Sequence, residues 1–306
     1  MTAQLSLGPI LFNWKPDIWR DFYYRIADES PVARVYLGEV VCSKRTPFFE
    51  PLYPDVTERL SRAGKQVIFS TLAEVMIKRE RKLTESMCAL DDYLVEANDA
   101  SALYHLRGKP HAIGPYINAY NEETLAVLAE RGAVHVTLPF EIPAQSVMRM
   151  ANEAAQRRIT SEIMVFGRIP LALSARCYHA RAHGRVKDNC QFVCEEDPDG
   201  MELKTLDGDD FLVINGVQTL SYACLNLLAE MNALKNNISY FRLSPHTPNM
   251  IEITQIFHDV LQNELSAAEA ALKLPKLGLS VPFANGFFHG QPGHLWVDGS
   301  SVKPKT

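Results

Sequence analysis

A short apolar run followed by an amphipathic helical stretch recurs along almost the whole chain, and this alternation restricts the fold more than any other feature. The runs at Leu5 to Leu7, Ala33 to Gly38, Val67 to Phe69, Tyr93 to Ala97, His111 to Tyr116 and Ala133 to Leu138 read as strands. So do Ile163 to Phe166, Leu212 to Ile214 and Ile238 to Leu243. Between them lie helical patterns. One opens near Pro16 with Ile18, Trp19, Phe22, Tyr23 and Ile26 on one face; another covers Val56 to Ala63 and stops at Gly64; a third carries Leu125, Leu128 and Ala129 and ends at Gly132. Strands alternating with helices predict parallel pairing through helical crossovers. Seven or eight such units make an α/β chain with a (β/α) TIM-like barrel, complete or irregular. A doubly wound open sheet is the alternative. No GxGxxG and no GxxxxGK[ST] occurs, so nothing supports a nucleotide fold.

Two regions break the alternation. Residues 171–210 are rich in Cys, Arg, His and acidic side chains and read as an insertion, which in a compact domain is usually functional. The tail, 274–306, carries Pro, Gly and aromatic residues and is expected to pack across the barrel. With 47% hydrophobic residues in 306, one barrel domain over 1–306 has material for a full core. A net charge of -5 argues against a general nucleic-acid binder. The N-terminus lacks a basic signal-peptide region, and no apolar run approaches the roughly 18 to 20 residues of a membrane span. The expected location is the cytoplasm, where thiols stay reduced and cysteines serve as ligands or core residues rather than disulfides.

Cys177, Cys190 and Cys194 form a C-x12-C-x3-C set. The spacing of the last pair places both sulfurs on one side of a helical turn. Cys42 lies far upstream, just past the second strand, and a barrel could bring that strand end to the same rim as the insertion. Four converging thiolates would hold a [4Fe-4S] cluster or a structural zinc. Lys44, Arg45, Arg176, Arg181, Arg185 and Lys187 flank the cysteines, and cations beside a negatively charged cluster stabilise it and tune its potential. Cys88 and Cys224 sit in apolar segments and read as core.

The stretch Phe166 to Cys177 (FGRIPLALSARC) and the stretch Tyr36 to Arg45 (YLGEVVCSKR) resemble the U32 peptidase-like family. Leu7-Gly8-Pro9, Phe211 to Leu220 and Arg242 to Pro245 are similar as well, so the resemblance spans nearly the whole chain. Within the family, the likeness is to members serving oxygen-independent ubiquinone biosynthesis. It implies a [4Fe-4S] cluster on Cys42, Cys177, Cys190 and Cys194, and a heterodimer with a UbiU-like U32 paralogue. It also implies a lipid-binding accessory protein, hydroxylation of a quinone precursor without O2, and prephenate as oxygen donor. The chain would be a subunit of a hydroxylase and not a genuine peptidase.

A barrel gathers polar strand ends at one rim, and Asn13, Glu39, Glu96, Asn98, Asn118, Glu141, Arg168 and Arg242 are expected there. Arg168, Arg176 and Arg242 suit the carboxylates of prephenate; each could equally cap a strand or form a structural ion pair. Glu39 could act as a general base, contact the cluster's surroundings, or serve structure alone. His179 and His183 are four residues apart but lack the Glu of HExxH, and solvated helix positions are expected. Lys78 to Lys82 reads as an exposed helix face. Three other functions stand beside the first. An RNA-hydroxylating relative would need a basic face. A peptidase would need a nucleophile and base, and neither GxSxG nor HExxH occurs. A zinc-stabilised binding module would differ by its metal.

Overall fold

In the computed structural model, which describes residues 3–279 and 281–298, eight parallel strands close into a barrel ringed by helices. The first half alternates as the sequence predicts. It runs β1 (Gln4–Leu7), α1 (Pro16–Glu29), β2 (Arg34–Leu37), α2 (Thr46–Phe49), α3 (Tyr53–Arg62), β3 (Gln66–Ser70), α4 (Lys78–Cys88) and β4 (Leu94–Ala97). Then come α5 (Ala100–His105), β5 (His111–Ile113), α6 (Glu122–Glu130), β6 (Ala133–Thr137) and α7 (Ala144–Gln156). The helices start where the chain supplies caps. Pro16 opens α1, and the Asp99 and Asn121 side chains accept from Ser101 N and Thr124 N at the starts of α5 and α6.

The second half departs from the alternation. β7 (Thr160–Leu173) is followed by α8 (Tyr178–Ala182), β8 (Met201–Lys204), β9 (Asp210–Asn215), β10 (Gln218–Asn226), α9 (Met231–Leu234) and β11 (Tyr240–Leu243). The chain ends with α10 (Met250–Leu261), α11 (Ala267–Lys273) and β12 (Phe283–Ala284). The first part of β7 lies between β6 and β11 in the barrel, and β11 pairs with β1 to close it. The rest of β7 runs on beyond the barrel and pairs antiparallel with β10, which pairs with β9 and then β8. Leu212 to Ile214 therefore sits in this antiparallel arm, not in a further strand–helix unit. The reason is local: Asn215-Gly216 opens a two-residue hairpin, with Gly216 at φ 63° and Gln218 opposite Asn215. The described part of the tail reaches both the arm and the barrel, with β12 on β10 and Ala144 N at the start of α7 bonded to Phe288 O; residues 280 and 299–306 lie outside the described residues.

The apolar core lies between strands and helices. Leu5, Leu7, Val35 and Leu37 of the strands meet Trp19, Tyr23 and Ile26 of α1. Ile18, expected on that face, is 53% exposed, because the helix turns about 100° per residue and Trp19 takes the inward position. The barrel interior is polar instead. Ser6, Tyr36, Glu96, His135, Thr137, Glu162 and Arg242 are all buried there and bonded to one another.

Candidate functional site

After β2 the chain turns at Gly38, whose φ of 129° favours glycine and whose Cβ, if added, would stand 2.3 Å from Ser70 O. The turn delivers Glu39, whose Oε1 accepts from the backbone N–H groups of Val41 and Cys42, both at 2.8 Å. Arg45 follows, 1% exposed, donating from Nη1 to Leu11 O at 2.8 Å and from Nη2 to Asn215 Oδ1 at 2.9 Å. One guanidinium thus ties the loops after β1 and β2 to the β9–β10 hairpin.

The antiparallel arm brings the other three cysteines to the same place. Cys177 stands at the start of α8, its sulfur accepting from Ala180 N at 3.4 Å. Cys190 and Cys194 do not share a helical turn as the spacing suggests. Gln191 and Phe192 lie between them at φ 50° and 55°, left-handed conformations that break any helix. Phe192 is placed there by an edge contact with Phe48 at 4.8 Å, and Lys44 Nζ donates to Lys187 O at 2.6 Å and to Asp188 O at 3.0 Å. Cys42, Cys177, Cys190 and Cys194 all line one small cavity, together with Lys44, Arg45, His179 and Lys187.

Burial pushes the thiols of Cys42 and Cys177 up, against the pull of Arg45 on Cys42 and of the Ala180 N–H on Cys177. Burial also works against the charge of Arg45, but Glu39, Cys194 and Cys42 outweigh it and raise the guanidinium above its ordinary value. Arg45 Nε is buried and has no hydrogen-bond partner among the described residues, while the guanidinium also bonds the Cys194 side chain. Glu39 is pushed up by burial, with Arg45 and the two N–H groups opposing. His179, expected in solvent, is 0% exposed, bonded through Nε2 to Asp197 Oδ2 at 2.8 Å, and burial favours its neutral form. Among the described residues its Nδ1 has no partner. His183 is exposed and stacks on it at 5.6 Å. Among the described residues, no three His, Cys, Asp or Glu side chains form a group that could hold a single metal ion.

The other candidates scatter. Arg242 is inside the barrel, with Nε on Glu162 Oε1 at 2.5 Å and Nη2 on Glu96 Oε1 at 2.6 Å and Thr137 Oγ1 at 2.8 Å. Tyr36, His135 and Glu162 complete that network and were not singled out from the sequence; their alternation along buried strands is the signal that could have found them. Asn98 bonds to Thr71 and Glu96, and Asn13 is buried with its Nδ2 unpartnered among the described residues. Arg168 is 5% exposed beside a small cavity with Asp199, Cys224 and His246; its Nη1 donates to Ser221 O and Tyr222 O, and its Nε has no partner among the described residues. Arg176, Asn118 and Glu141 are exposed. Glu80, in the basic run, is buried and bonds to Ser43 Oγ and to the N–H groups of Met76 and Ile77, while its four neighbours are exposed. Cys88 and Cys224 are core residues, 2% and 1% exposed.

A family model described as Peptidase family U32 matches residues 17–298. Among solved structures, an uncharacterized B. cereus protein is similar at 8% identity and a TM-score of 0.43, over 83% of this chain and 64% of that one. The chain thus spans less than two thirds of that protein's length. Dihydropteroate synthase from Thermus thermophilus is similar at 11% identity and a TM-score of 0.45, over 86% of this chain and 94% of that one. No helix among the described residues is long and apolar enough to cross a membrane.

Proposed function

The chain belongs to peptidase family U32, and from that premise we propose that it is a UbiV-type member. In this reading it is a cytoplasmic [4Fe-4S] protein. It acts with a UbiU-like U32 paralogue and a lipid-binding accessory protein in oxygen-independent hydroxylation of the quinone ring during ubiquinone biosynthesis. One observation carries the reading: four cysteines from two distant segments line a single cavity.

The residues present fit a cluster. Four sulfurs are a saturating ligand set, and the cavity also holds the buried guanidinium of Arg45, which bonds the Cys194 side chain. A cluster on four thiolates carries negative charge, which Arg45, Lys44 and Lys187 would offset. In this reading the four thiolates would together hold a cluster rather than share one ion, so no single-ion group among the described residues is required. When bound, such a cluster supplies one-electron transfer.

The chain's own groups do the positioning. Glu39 clamps the loop that carries Cys42, and Lys44 pins it to the loop that carries Cys190. Prephenate, a dicarboxylate, is the proposed oxygen donor. Arg242 has its guanidinium engaged by Glu96, Glu162 and Thr137, so Arg168, with an unpartnered Nε, is the better placed arginine for a carboxylate.

Iron, sulfide and zinc analysis of anaerobically purified protein tests the reading. About four irons and four sulfides per chain, lost in Cys190→Ala together with quinone formation in anaerobic cells, are expected. One zinc and no colour would overturn it in favour of a structural site.

A further inference from the structure

The proposed function uses the cavity of the four cysteines but not the surface around it. Lys44 and Lys187 line that cavity, and Arg185 Nη1 donates to Cys190 O at 3.3 Å. Arg79 of α4 donates from Nη2 to the hydroxyl of Ser43, next to Cys42, at 2.9 Å. Four cations from three segments thus converge on the cysteines. Two more flank Cys177. In α8, His179 and Ala180 are buried, so Tyr178 and Arg181, three residues apart, face outward, and Arg176 is exposed just before Cys177.

The chain does not neutralise these charges itself. None of the six forms an ion pair among the described residues. Exposed arginines elsewhere, such as Arg25, Arg59 and Arg157, sit on carboxylates at 3.0, 2.5 and 2.6 Å. Lys44 and Arg185 are held by backbone carbonyls instead, and Arg79 by a hydroxyl, which fixes the side chains and leaves the charge in place. Glu74 and Glu80 lie close enough to Lys187 to feel its charge, and Asp188 adjoins it in the chain. Glu195 and Glu196, past Cys194, line a separate groove with Phe22 of α1. Six cations against those three carboxylates leave a positive rim on a chain whose net charge is -5. Exposed apolar side chains lie among the cations: Val186, 64% exposed, between Arg185 and Lys187, and Met76, 41% exposed, three residues before Arg79.

A positive rim with apolar contacts beside a redox group suits an electron-transfer encounter, in which a small interface forms under electrostatic steering and releases readily. The side chains between the cations are the aliphatic Val186 and Met76, not a row of aromatic platforms, which favours a protein over single-stranded nucleic acid. We infer that this rim docks an acidic one-electron carrier protein. The carrier loses one electron to the group on the four cysteines; the carrier is oxidised, that group is reduced, and no bond or proton changes hands. The inference rests on the proposed function for the electron's destination and on the unpaired cations for docking.

The test is calorimetric titration of anaerobically purified full-length protein with an acidic plant-type [2Fe–2S] ferredoxin, at about 50 and about 300 mM salt. Saturable one-to-one binding is expected, weaker by about tenfold or more at the higher salt. Arg176→Glu and Arg181→Glu change side chains that bond to nothing among the described residues. Combined, they should weaken binding about tenfold or more, with iron content unchanged. Arg131→Glu places the same kind of charge change just before β6, at the end of the parallel barrel opposite the Cys42 loop, and should leave binding as it is. Binding that ignores both salt and the two reversals, or tighter binding of a short single-stranded RNA at the same salt, would overturn the inference. Salt-sensitive ferredoxin binding by a protein that holds no iron would uphold the docking rim and defeat the cluster reading; a full complement of iron with no ferredoxin binding would do the reverse.

Discussion

Glu162 is wholly buried, and burial alone would hold it protonated. Arg242 foremost, then His135 and Arg34, keep its carboxyl well below the ordinary 4.5 instead. His135 is pushed down by burial and by the two arginines, so it stays neutral and its 2.8 Å contact with Glu162 is a hydrogen bond rather than an ion pair. Both shifts act in the same direction. A carboxyl with a depressed folded pKa stabilises the fold fully above 4.5 and loses that contribution as pH falls below it; a depressed histidine begins to destabilise once pH drops below its ordinary 6.5. Denaturation curves should therefore show stability falling from pH 6.5 downward and more steeply below 4.5. Glu162→Gln leaves Arg242 with Glu96 as its remaining carboxylate and should cost up to about 3–5 kcal/mol at pH 7. Its deficit should narrow at pH 3.5, about one unit below the ordinary carboxyl value, where wild type has lost part of the same contribution. An equal deficit at both pH values would refute the assignment.

At the scale of elements, the turn from β2 into the Cys42 loop matters most. Gly38 holds a φ of 129° with Ser70 O standing where a Cβ would go, so Gly38→Ala meets both strain and collision. The expected loss is about 1–3 kcal/mol or more in urea unfolding, and because Glu39 follows directly, iron content should fall with it. Gly64→Ala is the control: φ is 78° there, but nothing lies within 4 Å, so strain acts without collision and iron should be retained. The β9–β10 hairpin shows how much one turn decides. Asn215 at its corner takes the Arg45 guanidinium at 2.9 Å and returns its own amide to Leu11 O at 2.7 Å, which locks the arm that carries three cysteines against the barrel.

For the whole molecule, the proposed cluster on cysteines from both ends of a long sequence gap should link metal binding to global stability, since a site assembled only in the folded state stabilises that state. Anaerobic removal of iron by a chelator is expected to lower the melting temperature of wild type by several degrees, at roughly 2–4 °C per kcal/mol for a chain this large or larger. It should not move that of Cys190→Ala; an unchanged wild type would mean the cavity holds nothing that matters to folding. The barrel was legible because strand–helix alternation is local and each unit carries its own periodicity and caps, as at Asp99 and Asn121. The grouping of Cys177, Cys190 and Cys194 was legible for the same reason. Sequence alone therefore determined the class of fold, the apolar faces and which three cysteines lie close together in the chain. Tertiary structure decided the rest: that Leu212 to Ile214 runs antiparallel, that Arg242 is engaged by Glu162 inside the barrel, that His179 is buried against Asp197, and that Cys42 reaches the other three. Each of these depends on a partner far away in the chain, and a side chain's local sequence does not encode which distant group will remove it from water.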